Sequence, residues 1–225
     1  MISLWLGMPG CGKTTHMRDL VSKAAYEKWG CAVIDRASEW TEENAGWRGN
    51  PPPIDIASTD IAEATKQLVE AREHGRVVLF QAPWESIDVA ELVASVGDLI
   101  FADDEIDLVA TNNSVGGRSW FQNPLRNFIH RGRHLPDAEG VPREVHIFGA
   151  ARRPQNLHTD LTSMASQVFV YRCNGVNTLK RIRDENYVNE DQLREVPLLP
   201  NFECFMWKED GSITRGSIIN PYKTK

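Results

Sequence analysis

Cysteine is scarce in this sequence. Its four residues, Cys11, Cys31, Cys173 and Cys204, stand far apart, with no C-x-x-C pair among them. That spacing argues against a thiolate metal site and a disulfide framework, and it fits reduced thiols in a cytosolic protein. Long apolar runs are missing too, none approaching the ~18 consecutive residues of a membrane span. The opening residues MISLWLGMPG lack a basic segment ahead of a long apolar one, so they do not read as a signal peptide. These absences lead us to expect a soluble intracellular protein without a membrane span.

A surplus of basic charge is also lacking. Lys and Arg number 25 against 31 Asp and Glu, a formal net charge of −6. Gripping nucleic acid by bulk charge over the whole surface is thereby excluded, although a local basic groove is not. With 12 Pro and 16 Gly in 225 residues, collagen-like and low-complexity classes also go. What is present is an ordinary globular balance, 41% hydrophobic and 25% charged. A chain of this length buries roughly 70–75% of its unfolded surface without needing a staple. No repeat and no linker-like stretch interrupts it, and one domain over 1–225 is expected.

Apolar runs alternate with amphipathic stretches. Residues 2–6, 31–36, 54–56, 77–81, 98–104, 144–150 and 167–172 read as strands. Residues 13–28, 60–74, 87–97, 124–133 and 155–165 read as helices, with Pro124 suited to a first turn. The stretch 37–53, with its Pro triplet, reads as a loop, and 108–123 as irregular. Residues 202–219 hold two alternating runs around Asp210-Gly211, a hairpin signal. Strand–helix alternation predicts an α/β fold with a mostly parallel, doubly wound sheet and a C-terminal β-hairpin.

Gly7-Met8-Pro9-Gly10-Cys11-Gly12-Lys13-Thr14 matches G-x-x-x-x-G-K-[ST] at every fixed position. It follows a predicted strand and opens a predicted helix, the context a phosphate loop needs. The glycines let backbone N–H groups converge on phosphate oxygens, and the helix start adds its positive dipole end. Lys13 is placed to reach the β- and γ-phosphates and the Thr14 hydroxyl to ligate Mg²⁺. Thr15 completes the expected nucleotide-binding set.

The apolar run 99–102 leads into Asp103-Asp104-Glu105. A nucleotide hydrolase needs such an end: one acid holds Mg²⁺ through water and another polarises the attacking water. The favoured register takes Asp104 as the metal-side acid and Glu105 as the base. Asp103 with Asp104 is the other register, and a solvated acidic loop the bland alternative.

Between Asp107 and Asp137 there is no acidic residue, while Arg118, Arg126, Arg131 and Arg133 fall inside with His130 and His134. Such a segment suits a neighbouring subunit's nucleotide or a DNA backbone, or else it is a solvated helix face. Arg152-Arg153-Pro154 follows the strand at 144–150. Loops at carboxyl strand ends line the ligand crevice of a doubly wound sheet, which makes Arg152 or Arg153 a candidate γ-phosphate sensor. Seven Trp residues are scattered over the chain, several in predicted loops. There they either stack on bases or, more commonly, act as partly buried anchors.

Taken in order, GMPGCGKTT, LIFADDEID, HRGRH, VHIFGAARRP and SQVFVYR resemble the FtsK–HerA superfamily of ring-forming DNA-pumping ATPases over about 1–172. The likeness is greatest to the small genome-packaging ATPases of tailless, membrane-containing icosahedral phages and archaeal viruses. It implies a RecA-like P-loop core in a homohexameric ring. Such a ring hydrolyses ATP with Mg²⁺ and drives double-stranded DNA, without sequence specificity, into a capsid at its packaging vertex. The setting would be the host cytoplasm or the virion. By position, Lys13 and Thr14 become the Walker A pair, Asp104-Glu105 the Walker B pair, and Arg131 and Arg133 candidate intersubunit arginines. Arg152 stands where cellular members usually carry a polar sensor, often Gln. The region 173–225 carries no motif of the family.

Two rivals share the opening motif. A small-molecule or nucleotide kinase fits the chain length, with the arginines at 118–133 as its candidate lid, but such an enzyme has no use for Glu105, since it excludes water. A zonula occludens toxin-like ATPase of filamentous-phage assembly opens similarly but typically needs a membrane span. A switch GTPase is set aside because no N-K-x-D motif appears.

Overall fold

Strand β1 (Ile2–Leu6) is buried along its whole length, as expected of an apolar run flanked by sheet on both sides. A computed structural model describes residues 1–40, 53–56, 59–111, 119–132, 134–136 and 139–218. Most of the 37–53 loop, Trp47, Arg118 and Arg133 lie outside the described residues.

Around β1 runs a nine-stranded sheet. Its other strands are β2 (Gly30–Ile34), β3 (Ile54–Ile56), β4 (Val77–Phe80), β5 (Leu99–Asp103), β8 (Val145–Ala151), β9 (Gln167–Val170), β10 (Glu203–Lys208) and β11 (Ile213–Ser217). The order is β11-β10-β9-β1-β8-β5-β2-β4-β3. Pairing is parallel from β9 to β3, and β10 and β11 close the other edge antiparallel. The expected α/β class with a largely parallel sheet and terminal hairpin is what the structure has. Two short strands, β6 (Leu135–Pro136) and β7 (Pro142–Arg143), pair separately.

Register puts the site on one rim. Leu6 lies opposite Ala151 and Val170, and Asp103 opposite Ile34 and Gly149. Because β8 separates β1 from β5, the residue after β8, Arg152, stands between the loop after β1 and the turn after β5. Because β10 runs antiparallel to β9, its first residues return to this same rim.

Two cores cover the two faces. Helix α1 (Lys13–Tyr26) lays Met17, Val21 and Ala25 over Trp5, Val33, Ile100 and Phe148. Trp5 is fully buried and stacks on Phe169 at 5.0 Å with a 19° interplanar angle. Such a pair adds about 0.5–1.5 kcal/mol beyond the area it buries. On the opposite face α2 (Ile61–His74), α3 (Ser86–Val96) and α4 (Pro124–Arg131) pack on Leu4, Ile34, Phe80 and Phe101. The Asp60 carboxylate caps α2 by accepting from the N–H groups of Ala62 and Glu63, and Gly75 ends it at φ 64°.

One expected helix, 155–165, is corrected. Pro154–Asn156 is a 3-10 turn, and α5 spans only Thr159–Ser163. The His158 ring accepts from the Asp160 N–H and restarts the helix there, while Pro154 has no amide hydrogen to continue a ladder. Two helices in the C-terminal extension were not anticipated, α6 (Val176–Asp184) and α7 (Glu190–Glu195).

Candidate functional site

The backbone after β1 turns through Gly10 at φ 75° and Gly12 at φ 106°, conformations that side-chain-bearing residues rarely adopt. Helix α1 begins at Gly12 with no side chain capping it, unlike α2. Its first amides therefore face outward with their dipole, an arrangement that suits an anion. The loop itself is anchored from below. The Gly7 N–H donates to Ala151 O at 3.2 Å, the Met8 N–H to Arg172 O at 3.0 Å, and Cys11 is fully buried.

Above the loop lies a cleft of about 320 Å³. Pro9, Gly10, Gly12, Lys13, Thr14 and Thr15 line it on one side, and Asp104 and Arg152 on the other. Gly7, Met8 and Cys11, expected in the nucleotide-binding set, do not line it. The Lys13 ammonium, itself buried, donates to Met8 O at 2.9 Å. Burial holds its pKa below the usual lysine value.

The three consecutive acids have distinct surroundings. Asp103 is fully buried and receives both terminal nitrogens of Arg36, at 2.5 and 3.2 Å, together with the Ser86 hydroxyl at 2.8 Å and the Glu105 N–H at 2.9 Å. Its carboxylate is saturated on the face away from the loop. Asp104 points the other way, into the cleft, as strand alternation requires. Its Oδ1 is buried with no hydrogen-bond partner among the described residues. Burial, aided by the Asp103 charge, pushes the Asp104 carboxyl up to about 7. An orphaned carboxylate oxygen facing the Thr14 side of one cleft is the donor set a small, hard cation such as Mg²⁺ takes.

Glu105 is held by Arg152, whose Nη2 lies 2.6 Å from its Oε1. The Arg152 and Arg153 N–H groups both donate to the Asp107 carboxylate, at 3.3 and 3.2 Å. Buried Asp107 thus fixes the turn that presents Arg152, and burial raises its own pKa. Arg131 is exposed at the end of α4 and does not line this cleft. The described Trp residues are all buried or half-buried; Trp5 and Trp40 are wholly so. All four cysteines are buried and unbridged, and no cluster of metal-ligating His, Cys, Asp and Glu occurs among the described residues.

Three further residues line the cleft that sequence reasoning missed: Arg18, Glu39 and Phe202. Arg18 follows Thr14 by one helical turn, a spacing that signals a shared face. Its guanidinium donates to the Glu39 carbonyl, and the Glu39 N–H is held by Asp35 at 2.9 Å. Phe202, far along the chain, carries no local signal.

No family model and no curated protein matches the sequence. Among solved structures, the fold is similar to that of the genome packaging NTPase B204 from Sulfolobus turreted icosahedral virus 2 in complex with ATP-gammaS. The TM-score is 0.68 at 12% identity, covering 97% of each chain. The same protein in complex with AMP gives 0.69 at 13%, covering 97% of this chain and 98% of that one. VirB4 of Thermoanaerobacter pseudethanolicus gives 0.61 at 11%, covering 99% and 91%. At such identities the likeness establishes the fold alone, an α/β fold shared with these proteins.

Proposed function

We propose that this chain is an ATP-hydrolysing motor that moves double-stranded DNA into a viral procapsid, working as a homohexameric ring. One observation carries the reading. Lys13, Thr14, Asp104 and Arg152 converge on a single cleft, with Glu105 against Arg152 at its edge.

In this mechanism the loop amides and the start of α1 bind the phosphate oxygens of ATP, and Lys13 exchanges the Met8 carbonyl for the β- and γ-phosphates. Thr14 and Asp104 would hold Mg²⁺, which when bound offsets negative charge on those phosphates. Arg152 turns from Glu105 toward the γ-phosphate, and Glu105 then accepts a proton from the attacking water. The water oxygen bonds to the γ-phosphorus, the bond to the β–γ bridging oxygen breaks, and ADP and phosphate leave. Arg131 or Arg133 of a neighbouring subunit supplies positive charge to the transferring group. Cycles of this reaction shift loops that hold the DNA backbone without reading its sequence.

The similarity to a protein described as a genome packaging NTPase supports the motor over a kinase. So does Glu105, since a base for water has no task where water is excluded. No helix among the described residues is long and apolar enough to cross a membrane. The capsid vertex as partner and the host cytoplasm or virion as location follow from the same reading. Phosphate release from Mg-ATP, measured with duplex DNA and separately with a panel of phosphate acceptors, tests it. The motor releases phosphate to water and speeds up on DNA, whereas a kinase transfers it to one acceptor.

A further inference from the structure

We infer that Phe202, in the C-terminal extension, is the platform on which the nucleobase stacks, so that the site grips a purine nucleoside triphosphate by its base without telling adenine from guanine. The inference rests on the nucleotide reading of the phosphate loop.

The direction of the bound nucleotide follows from the sheet. Asp104 and Arg152, which face the terminal phosphate in that reading, follow β5 and β8 on one side of β1. The phosphate chain then crosses the loop after β1, and the sugar and base extend toward the opposite flank, β9 and β10. At that flank Phe202 immediately precedes β10, which starts on the same rim as the carboxyl ends of the parallel strands. Among the described residues that line the cleft, Phe202 alone is aromatic.

Its placement is built rather than incidental. Phe202 has φ 68°, a left-handed conformation costly for a bulky residue. Two backbone bonds hold it there: its N–H donates to Cys11 O at 2.8 Å, and the Ile218 N–H donates to Phe202 O at 2.9 Å. The preceding Asn201 side chain accepts from Arg172 at 2.7 Å, and the Arg172 carbonyl in turn anchors Met8. The extension is thus stitched to the phosphate loop from above and below. The ring lies directly over Gly12, where an added Cβ would come within 2.7 Å of Phe202 Cδ1 and 3.3 Å of Ile218 Cδ1. Gly12 serves the helix start and also makes room for this ring.

A phenyl face has no hydrogen-bonding group to inspect a base edge. Stacking on it is tolerant of base type and favours larger ring systems. The ligand class is therefore a purine nucleoside triphosphate, with ATP and GTP held comparably through the ring.

Equilibrium titration of wild type, F202L and F202W with Mg-ATP, Mg-GTP and magnesium tripolyphosphate tests the assignment. F202L keeps apolar bulk over Gly12 and guards against loss of folding. It is expected to weaken ATP and GTP each about tenfold while leaving tripolyphosphate within about twofold, and F202W is expected to restore ATP. The assignment is overturned if F202L leaves ATP affinity unchanged. It is equally overturned if F202L weakens tripolyphosphate as much as ATP and F202W restores neither, which would make Phe202 a buttress of the loop. Wild-type protein that binds neither ATP nor tripolyphosphate would instead remove the phosphate-loop reading itself.

Discussion

Arg152 and Glu105 meet at 2.6 Å, guanidinium to carboxylate, at the edge of the phosphate cleft. In the proposed mechanism the candidate base and the candidate sensor are thus paired until nucleotide arrives. Arg152 is half-exposed, so the pair is weak enough to exchange for a γ-phosphate. Replacing Glu105 by Gln keeps the shape and removes the base. We expect kcat to fall about 10²–10⁴-fold, with Mg-ATP affinity within about threefold of wild type. Single-turnover hydrolysis alongside equilibrium binding separates the two quantities, and full activity in E105Q would exclude Glu105 as the base.

Neighbouring acids should respond oppositely to the same amide substitution. D103N leaves the Arg36 charge without its partner, and we expect a loss of about 3 kcal/mol in unfolding free energy. D104N removes a carboxyl that burial and Asp103 already push up to about 7. It should leave stability unchanged or raised while abolishing Mg²⁺-dependent hydrolysis. Denaturant melts and phosphate-release assays on both variants check this. Loss of Mg²⁺ binding in D103N, with D104N keeping Mg²⁺ binding but losing hydrolysis, would select the Asp103–Asp104 register.

A trans role for Arg131 predicts complementation between inactive subunits. Arg131 is exposed and outside its own chain's cleft. Mixing R131A with K13A subunits, each inactive alone, should restore turnover, because some ring interfaces then pair an intact loop with a neighbour's intact arginine. A mixture that stays inactive would contradict the trans role, and R131A active alone would argue for a solvated helix face instead. Arg133 is tested in the same way.

Stability should fall in mild acid partly through His16. Its ring bonds the Tyr171 hydroxyl at 2.6 Å and meets the Trp5 and Phe169 rings edge-on, and burial lowers its pKa to about 4. The unfolded chain binds this proton near the ordinary histidine value of about 6.5, so between those two values the unfolded state carries more protons. Stability is then intact above about 6.5 and declines as pH falls toward 4, by at most about 3 kcal/mol from this group. Unfolding free energies at pH 7 and 4.5 should differ less in H16Q than in wild type. Equal differences would contradict this.

Much of the fold was legible because its strands are buried on both faces and read as continuous apolar runs. The helix over 60–74 announced itself through Ile61, Ala64, Leu68 and Ala71 at helical spacing on one face. The helix at 155–165 was misread because apolar spacing there hid the break at Pro154 and the His158 cap. Helices α6 and α7 were overlooked because polar residues dominate them and only Thr178 and Ile182 are buried. In the site, the loop residues and the acidic turn were local patterns. Arg36, Glu39 and Phe202 were not legible, since each acts through a partner distant in sequence. Only the strand order brings Arg36 to Asp103, or Phe202 to Gly12.

The most direct test is phosphate release to water from Mg-ATP by wild type and K13A, each with and without duplex DNA. The account predicts turnover in wild type that duplex DNA accelerates, and at least a hundredfold loss in a folded K13A protein. Phosphate release that ignores both the lysine and the DNA, or its transfer to a small acceptor in place of water, would contradict it.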